Sequence, residues 1–425
     1  MSHILTTSIE RDVVLGGEPF ALVVTTTHAG GERAVTAVHR QAFARRIGGV
    51  RIVGLMTEAA QRVEVARLSA AMTRKCAAAG LPADGQKTVV MAPAGPPAER
   101  ADRVALLAAH ERFVRTVDPG VIFGPDMNVD EAIQDDLDAI PELAGHVTGL
   151  SAGNGGLGID DTGYTAYGLN VALGTLARAP ATATVQGFGA VGGHLAVLLV
   201  AQGVKIVGVS NVLGTLEDPA GIDVVALFAR VHREGDRALP HHAELVGGRW
   251  SPAPDRLFAV PAELFVPAAR TSVLSLAGET VENPQVQAVE EWYAATAPRV
   301  VCEGANAPLT PAAEQYLEAR GVQVLTDWVV NCGGLVGCWV EHLERATLRA
   351  EPHRREEVHA GAFASIGRVV AANVRQLVAG GAGSRERADV IATQNRARLL
   401  EAWNASPIAD PSERARDLAG REDLF

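Results

Sequence analysis

The run ATATVQGFGAVGGHLAVLLVAQGVKIVGVSN, residues 181–211, constrains the fold more than any other part of the chain. A β-branched run, a glycine turn, an apolar helix-forming run and a second β-branched run follow one another there, the order of a strand–turn–helix–strand unit. Within it Gly187, Phe188, Gly189, Ala190, Val191 and Gly192 have the Gly-x-Gly-x-x-Gly spacing. Gly187 permits the tight turn, Gly189 lets the backbone approach a pyrophosphate at the helix N-terminus, and Gly192 allows close helix-to-strand packing. The motif in this setting predicts a doubly wound, Rossmann-type dinucleotide-binding domain. At the end of the second strand, where NAD sites usually carry Asp or Glu, stands Asn211. An amide keeps part of the hydrogen bonding to a ribose but does not repel a 2′-phosphate, so NAD is expected with measurable NADP use, and Asn211→Asp is expected to sharpen the preference for NAD. Arg230 and Arg233, on the helix expected after Gly221-Ile222-Asp223, are the nearest candidates in sequence for a phosphate contact.

A chain of 425 residues, 48% of them hydrophobic, exceeds one ordinary core. The expected fold class is α/β with two domains. Residues 1–160 form a substrate and oligomerisation domain, 161–340 the Rossmann domain, and 341–425 helices that return to the first domain. In the first domain TEAAQRVEVARLSAAMTRKCAAA, residues 57–79, reads as an amphipathic helix with Val65, Leu68, Met72 and Lys75 on one face. GLPADGQ is expected to break it, and KTVVMA to begin a strand at Lys87. A second helix is expected over about 98–117, then a strand VIFGPD ending at Asp126. HVTGLSAGNGGLGIDDTG is loop by composition, and VAGGAGSRER interrupts the C-terminal helices.

Lys occurs only at positions 75, 87 and 205, almost every other basic residue being Arg. Arg cannot lose its proton at working pH, whereas a desolvated Lys can. The few lysines are therefore either chance survivors of codon bias or chemistry, and position decides. A formal charge of −11 weighs against a nucleic-acid or anionic-membrane partner, since both need a cationic surface. Without a long apolar run or a basic leader a cytoplasmic protein is expected. Cys76, Cys302, Cys332 and Cys338 lack paired spacing, so reduced thiols and no bound metal are expected. Gly149-Leu-Ser151-Ala-Gly153 matches a nucleophile elbow, but the loop around it offers neither strand nor helix. His241 and His242 read as solvated surface. Asp160 and Asp161 read as a solvated loop that could alternatively admit a basic substrate.

The ordered motifs resemble the glutamate, leucine, phenylalanine and valine dehydrogenase superfamily over nearly the whole chain after the first forty residues. The resemblance rests on Ile47-Gly-Gly49-Val-Arg51, MTRKCAAAGLPADGQKTVVM with Lys75 and Lys87, Gly124-Pro-Asp126, Thr165-Ala-Tyr-Gly168, VQGFGAVG, Val266-Pro-Ala268-Ala269, Glu303-Gly-Ala-Asn306 and Asn331-Cys-Gly-Gly334. It implies oxidative deamination of an L-amino acid to its 2-oxo acid and ammonia with hydride transfer to NAD(P), and the reverse reaction, in a homo-oligomer. Lys75 would bind the substrate carboxylate. Lys87 would activate water, and Asp126 would exchange protons with the amine. Thr165 and Asn306 would orient the nicotinamide, with Ala268 and Asn331 also at the cofactor. Domain closure would exclude water. Ile47, Gly49, Gly124, Leu335 and Cys338 would line the side-chain pocket; Ile47 stands where glutamate enzymes carry a lysine, so an apolar Leu-, Val- or Phe-like side chain is expected. The glycine-rich approach to the catalytic lysine is replaced by Asp84-Gly85-Gln86, expected to strain the turn or narrow the pocket. A non-catalytic nucleotide-binding relative is therefore one alternative, and a glutamate-type or unusual-substrate enzyme another. A hydroxy-acid dehydrogenase would need a His beside the lysine and aspartate motifs, where none stands.

Overall fold

In the computed structural model, which describes residues 4–281, 285–380, 383–421 and 424, the chain divides into two units. The first takes its residues from 1–162, 335–365 and 392–425. Its opening strands β1 (Ile4–Leu15), β2 (Glu18–His28) and β3 (Arg33–Val38) form an antiparallel meander, followed by β4 (Arg46–Val53), helix α1 (Glu58–Ala78), β5 (Asp84–Met91), α2 (Arg100–Val117), β6 (Val121–Gly124), α3 (Glu131–Asp138) and the short α4 (Ile159–Thr162). The six strands make one sheet in the order β1-β2-β3-β5-β4-β6, with β4 parallel to both β5 and β6. The sequence reading did not anticipate the meander or α3.

Local chemistry sets these elements. Thr57 caps α1 by accepting a hydrogen bond from the Ala60 amide, and Gly80, at φ +72°, lets the chain turn away beyond its end. Val65, Ala66 and Leu68 of α1 pack with Val23, Val35 and Val89 on one face of the sheet. On the other face Leu106, Leu107 and Val114 of α2 pack with Val50, Ile52 and Val90. Helices on both faces bury β4, β5 and β6, which is why those strands read as nearly continuous apolar runs.

The expected break before Lys87 is corrected here, because Asp84, Gly85 and Gln86 are strand residues of β5 and not a strained turn. Asp84 Oδ2 accepts from the amides of Ala42 (2.6 Å) and Phe43 (3.0 Å), and its Oδ1 accepts from Arg396 (2.6 Å). Gln86 Nε2 donates to the carbonyls of Gly48 (2.6 Å) and Ile122 (3.1 Å). Gly85 is required by helix contact: a Cβ there would lie 2.2 Å from the Thr73 nitrogen and 2.4 Å from the Ser69 oxygen of α1.

The second unit takes 163–334 and 366–391. It contains α5 (Tyr164–Gly174), β7 (Thr182–Gln186), α6 (Ala190–Ala201), β8 (Lys205–Asn211), β9 (Gly214–Glu217), α7 (Val224–Glu234), α8 (Ala238–Leu245), β10 (Arg249–Ser251) and β11 (Leu264–Pro267). A two-stranded pair β12 (Leu274–Ser275) and β13 (Gln287–Ala288) precedes α9 (Val289–Thr296), β14 (Val300–Cys302), α10 (Pro311–Glu318), β15 (Gln323–Leu325) and α11 (Asp327–Val330). The seven-stranded sheet has the order β10-β9-β8-β7-β11-β14-β15. Strands β8, β7, β11, β14 and β15 are parallel, as the βαβ pattern predicts. Beyond β8 the chain makes a hairpin, so β9 runs antiparallel to its neighbours.

The C-terminal helices are α12 (Gly333–Ala350), α13 (Arg355–Ala379), α14 (Ser384–Ala405) and α15 (Pro411–Gly420). The expected interruption falls between α13 and α14, where Gly381 and Ala382 lie outside the described residues. Residues 366–391 group with the second unit, so 341–425 does not return as one block to the first domain. Within the second unit, Glu318 at the end of α10 accepts from the amides of Gly383 (2.7 Å) and Ser384 (2.8 Å), tying this segment down. Among the described residues no helix is long and apolar enough to cross a membrane.

Candidate functional site

In the first unit the register of three strands decides which candidates meet. Gly124 of β6 pairs with Gly49 of β4, and the β4–β5 register sets Gly49 beside Lys87. Gly49 is thus the neighbour of the lysine across the sheet, with Gly124 one strand further on. A Cβ on Gly49 would lie 2.7 Å from Lys87 Nζ, 2.8 Å from the Pro125 oxygen and 2.9 Å from Asp126 Cβ. Lys87 Nζ reaches Asp126 Oδ2 at 2.5 Å, and Arg51 Nε donates to the same oxygen at 2.8 Å. Glu64 of α1 accepts from the far side of the Arg51 guanidinium at 2.9 Å.

The lysine is 6% exposed, whereas the Asp126 side chain keeps 22%, so the carboxylate is the open edge of the cluster. Burial pushes the Lys87 pKa below its ordinary value; Asp126 opposes this and Arg51 adds to it. Burial alone would raise the Asp126 carboxyl, but the Lys87 and Arg51 cations overcome it and hold the group below the usual carboxylate range. Such a cluster sets an amine whose proton is held less tightly than usual beside a carboxylate held below its usual range, an arrangement in which one group can take a proton while the other faces a cation.

Position also separates the three lysines. Lys87 is buried in β5, Lys75 is half-buried in the last turn of α1, and Lys205 is exposed at the start of β8. Of the expected pocket residues, Ile47 is 1% exposed and Cys338 is buried, while Leu335 is partly open. Thr148, which the sequence reading did not select, donates to the Cys338 carbonyl (2.8 Å) and to Glu341 Oε1 (3.0 Å). Arg51 and Glu64 were also not singled out for a role; only the place of Arg51 at the end of the Gly-Gly motif signalled it.

In the second unit the dinucleotide candidates gather at the carboxyl ends of β7, β8, β11 and β14, where open α/β sheets bind ligands. Gly187 has φ +88°, and its Cβ would lie 3.0 Å from Ala269 Cα. A Cβ on Gly192 would lie 1.9 Å from the Gly187 oxygen. Nothing lies within 4 Å of where a Gly189 Cβ would be, and Gly189 begins α6 without a side-chain cap. The first-turn amides are thus open to an anion, so these residues fit a dinucleotide pyrophosphate. Phe188 turns inward, edge-on to Phe228 at 6.3 Å between ring centres, so only its backbone can face a ligand, while Ala190 and Val191 form the first turn of α6. The Ala268 amide donates to the Gln186 carbonyl at 2.8 Å. Asn331 Nδ2 donates to the carbonyls of Gly304 (3.2 Å) and Ala305 (3.1 Å), which holds the strand end bearing the exposed Asn306. Thr165 Oγ1 accepts from the Gly334 amide at 3.0 Å.

The remaining motifs carry less. Ser151 precedes a single 3-10 turn, and its hydroxyl accepts from Asn154 at 3.3 Å. His241 is exposed beside Glu234 at 2.7 Å, but His242 is 1% exposed, which corrects the surface assignment. Asp160 and Asp161 are exposed on α4. The four cysteines are buried and not joined in disulfides. Among the described residues no cluster of three metal-ligating side chains occurs.

Comparison with known proteins joins these two halves. The family model for Glutamate/Leucine/Phenylalanine/Valine dehydrogenase matches residues 155–401, and that for the dimerisation domain of Glu/Leu/Phe/Val dehydrogenase matches 23–136. The chain is 34% identical to glutamate dehydrogenase A2 of Halobacterium salinarum over 166 residues, 39% of this chain and only 35% of that protein. It is 29% identical to phenylalanine dehydrogenase of Caldalkalibacillus thermarum over 316 residues, 72% of this chain and 74% of that one. The solved structure of a hetero-hexameric glutamate dehydrogenase from Thermus thermophilus, in a Leu-bound form, superposes with a TM-score of 0.69 at 26% identity, covering 94% of this chain and 89% of its own.

Proposed function

Because the chain belongs to the Glu/Leu/Phe/Val dehydrogenase family, we propose that it is an NAD(P)-dependent amino-acid dehydrogenase that oxidatively deaminates an L-amino acid with an apolar side chain and catalyses the reverse reductive amination. The observation that carries the chemistry is the contact of Lys87, Asp126 and Arg51 beside Gly49. Bound at the Gly187–Gly192 turn, the dinucleotide would accept hydride from the substrate α-carbon. Lys75 offers a cation for the α-carboxylate. Lys87, with its proton affinity lowered by burial, takes a proton from the water that attacks the substrate imino carbon. Asp126, held below the usual carboxylate range by the neighbouring cations, enters ionised, accepts a proton from the substrate nitrogen and returns it in the reverse reaction. Asp84 and Gln86 are fully engaged strand residues, which removes the strained turn as a reason to read the chain as a non-catalytic relative.

The side-chain preference is argued from the wall near Thr148. Burial raises the Cys338 thiol first, and the Glu341, Asp160 and Glu131 carboxylates raise it further. Arg345, a cation on that wall, is bound to Asp138 at 2.8 Å. A substrate with a distal carboxylate would meet like charge and cost several kcal/mol, while an apolar side chain gains roughly 1.5–3 kcal/mol on burial. Reduced-cofactor absorbance with NAD and NADP against a panel of amino acids tests both parts. Leucine, valine or phenylalanine should give the highest kcat/KM; a higher value for glutamate or lysine would refute the pocket assignment, and no turnover with any amino acid would refute the activity. Assembly with copies of the same chain belongs to this reading: β1 is an edge strand carrying exposed Leu5, Ile9 and Val14, and the dimerisation-domain match begins within its partner β2.

A further inference from the structure

We propose that Asp236 is the carboxylate that sets the dinucleotide preference, supplying from the far end of α7 the charge that is missing at the end of β8. The inference rests on the dinucleotide reading of the Gly187–Gly192 turn. Asn211 ends β8, and the hairpin into β9 keeps the chain from carrying an acidic residue forward in the ordinary way; Val212 and Leu213 at its tip are exposed and apolar. After α7, Gly235 at φ +58° opens a single 3-10 turn, Gly235–Arg237, which brings Asp236 back over the strand end. Asn211 Nδ2 donates to the Asp236 carbonyl at 2.7 Å and to Asp236 Oδ1 at 3.2 Å, while Asn211 Oδ1 accepts from the Leu213 amide at 3.0 Å. Both polar atoms of the Asn211 amide are thereby occupied. Its role is to fasten the returning turn, and the acidic side chain left exposed at the strand end is Asp236.

The neighbouring cations do not cancel it. Arg230 is bound to Glu234 at 3.0 Å, and Arg233 donates to the Ala229 carbonyl at 2.9 Å along its own helix. Glu234 also holds His241 at 2.7 Å, so the end of α7 carries a second carboxylate. A carboxylate at the strand end accepts from ribose hydroxyls and repels a 2′-phosphate. One unit charge a few ångströms from a phosphate, partly screened by solvent, discriminates by about ten- to a hundredfold. Arg237, next in the chain and exposed, is the residue that would reverse the preference if the phosphate reached it instead.

Dissociation constants for NADH and NADPH, read from the fluorescence of the reduced nicotinamide in the full chain without substrate, test this. The wild type should bind NADH more tightly. Asp236→Ser should improve NADPH relative to NADH by about tenfold or more, and Asp236→Glu should keep the original order. Asp236 is exposed, so neither change threatens folding, which a melting curve verifies. An unchanged ratio in Asp236→Ser, or a wild type that prefers NADPH, would overturn the assignment while leaving the dinucleotide site intact. Binding of neither dinucleotide would overturn that site and this inference together.

Discussion

Lys87→Ala should lower kcat by roughly a thousand- to ten-thousandfold while leaving dinucleotide affinity unchanged. The lysine lies in the first unit, in a slot bounded by Gly49 and Asp126, and the Gly187–Gly192 turn lies in the second. Lys87→Arg should fail almost as completely. A guanidinium keeps its proton at any working pH, and its planar fork would have to occupy a position where Nζ lies within 2.7 Å of a Gly49 Cβ direction and 2.5 Å of Asp126. Initial rates at saturating substrate and direct titration of the reduced cofactor separate the two properties. Recovery of more than about a tenth of wild-type kcat in the arginine variant would end the proton-acceptor role, since general-base contributions are far larger than tenfold.

Asp126→Asn should reduce kcat by roughly a hundredfold or more and should also move the acidic limb of the kcat/KM profile to lower pH. The sign follows from the contacts. Burial lowers the Lys87 pKa, Asp126 is the nearest group raising it, and Arg51 lowers it further. An uncharged amide at position 126 removes the nearest opposing charge, so the lysine loses its proton at lower pH than in the wild type. The folded protein should respond as well. The lowered Asp126 pKa contributes stability that is present above the ordinary carboxylate range and is lost as pH falls through the lowered value. The variant should therefore show a flatter loss of stability in acid, read as melting temperature against pH. A limb that stays in place, or moves upward, would show that Asp126 does not control the protonation of Lys87.

Much of this arrangement was legible from the chain because its signals are short in range. Glycine spacing between a β-branched run and an apolar helix requires few residues, and the parallel strands around β7 followed from it. The identity of Lys87 and Asp126 emerged from residue type and motif order. Their surroundings did not. The turn expected at Asp84 to Gln86 is a strand because β5 pairs with β3 on one side and β4 on the other, and neither pairing leaves a local trace. Asp84, which looked like a source of strain, is satisfied by Arg396, 312 residues further on. His242, next to a plainly exposed histidine, is buried by a helix face that two adjacent polar residues do not reveal.

The sequence by itself determined the α/β class, the nucleotide turn, the lysine and aspartate of the candidate site and the family resemblance, because each depends on neighbouring residues or on ordered motifs. Only the tertiary structure decided that Arg51 clamps Asp126 from 75 residues away, that Gly49 stands beside Lys87 with Gly124 one strand further on, that residues 366–391 group with the second unit, and that Asp236 stands at the end of β8 in contact with Asn211, 25 residues before it. These are pairings set by strand register and by the return of helices onto a sheet. Propensity and periodicity describe how a segment folds on itself, whereas the electrostatic environment of a side chain depends on which distant segment packs beside it.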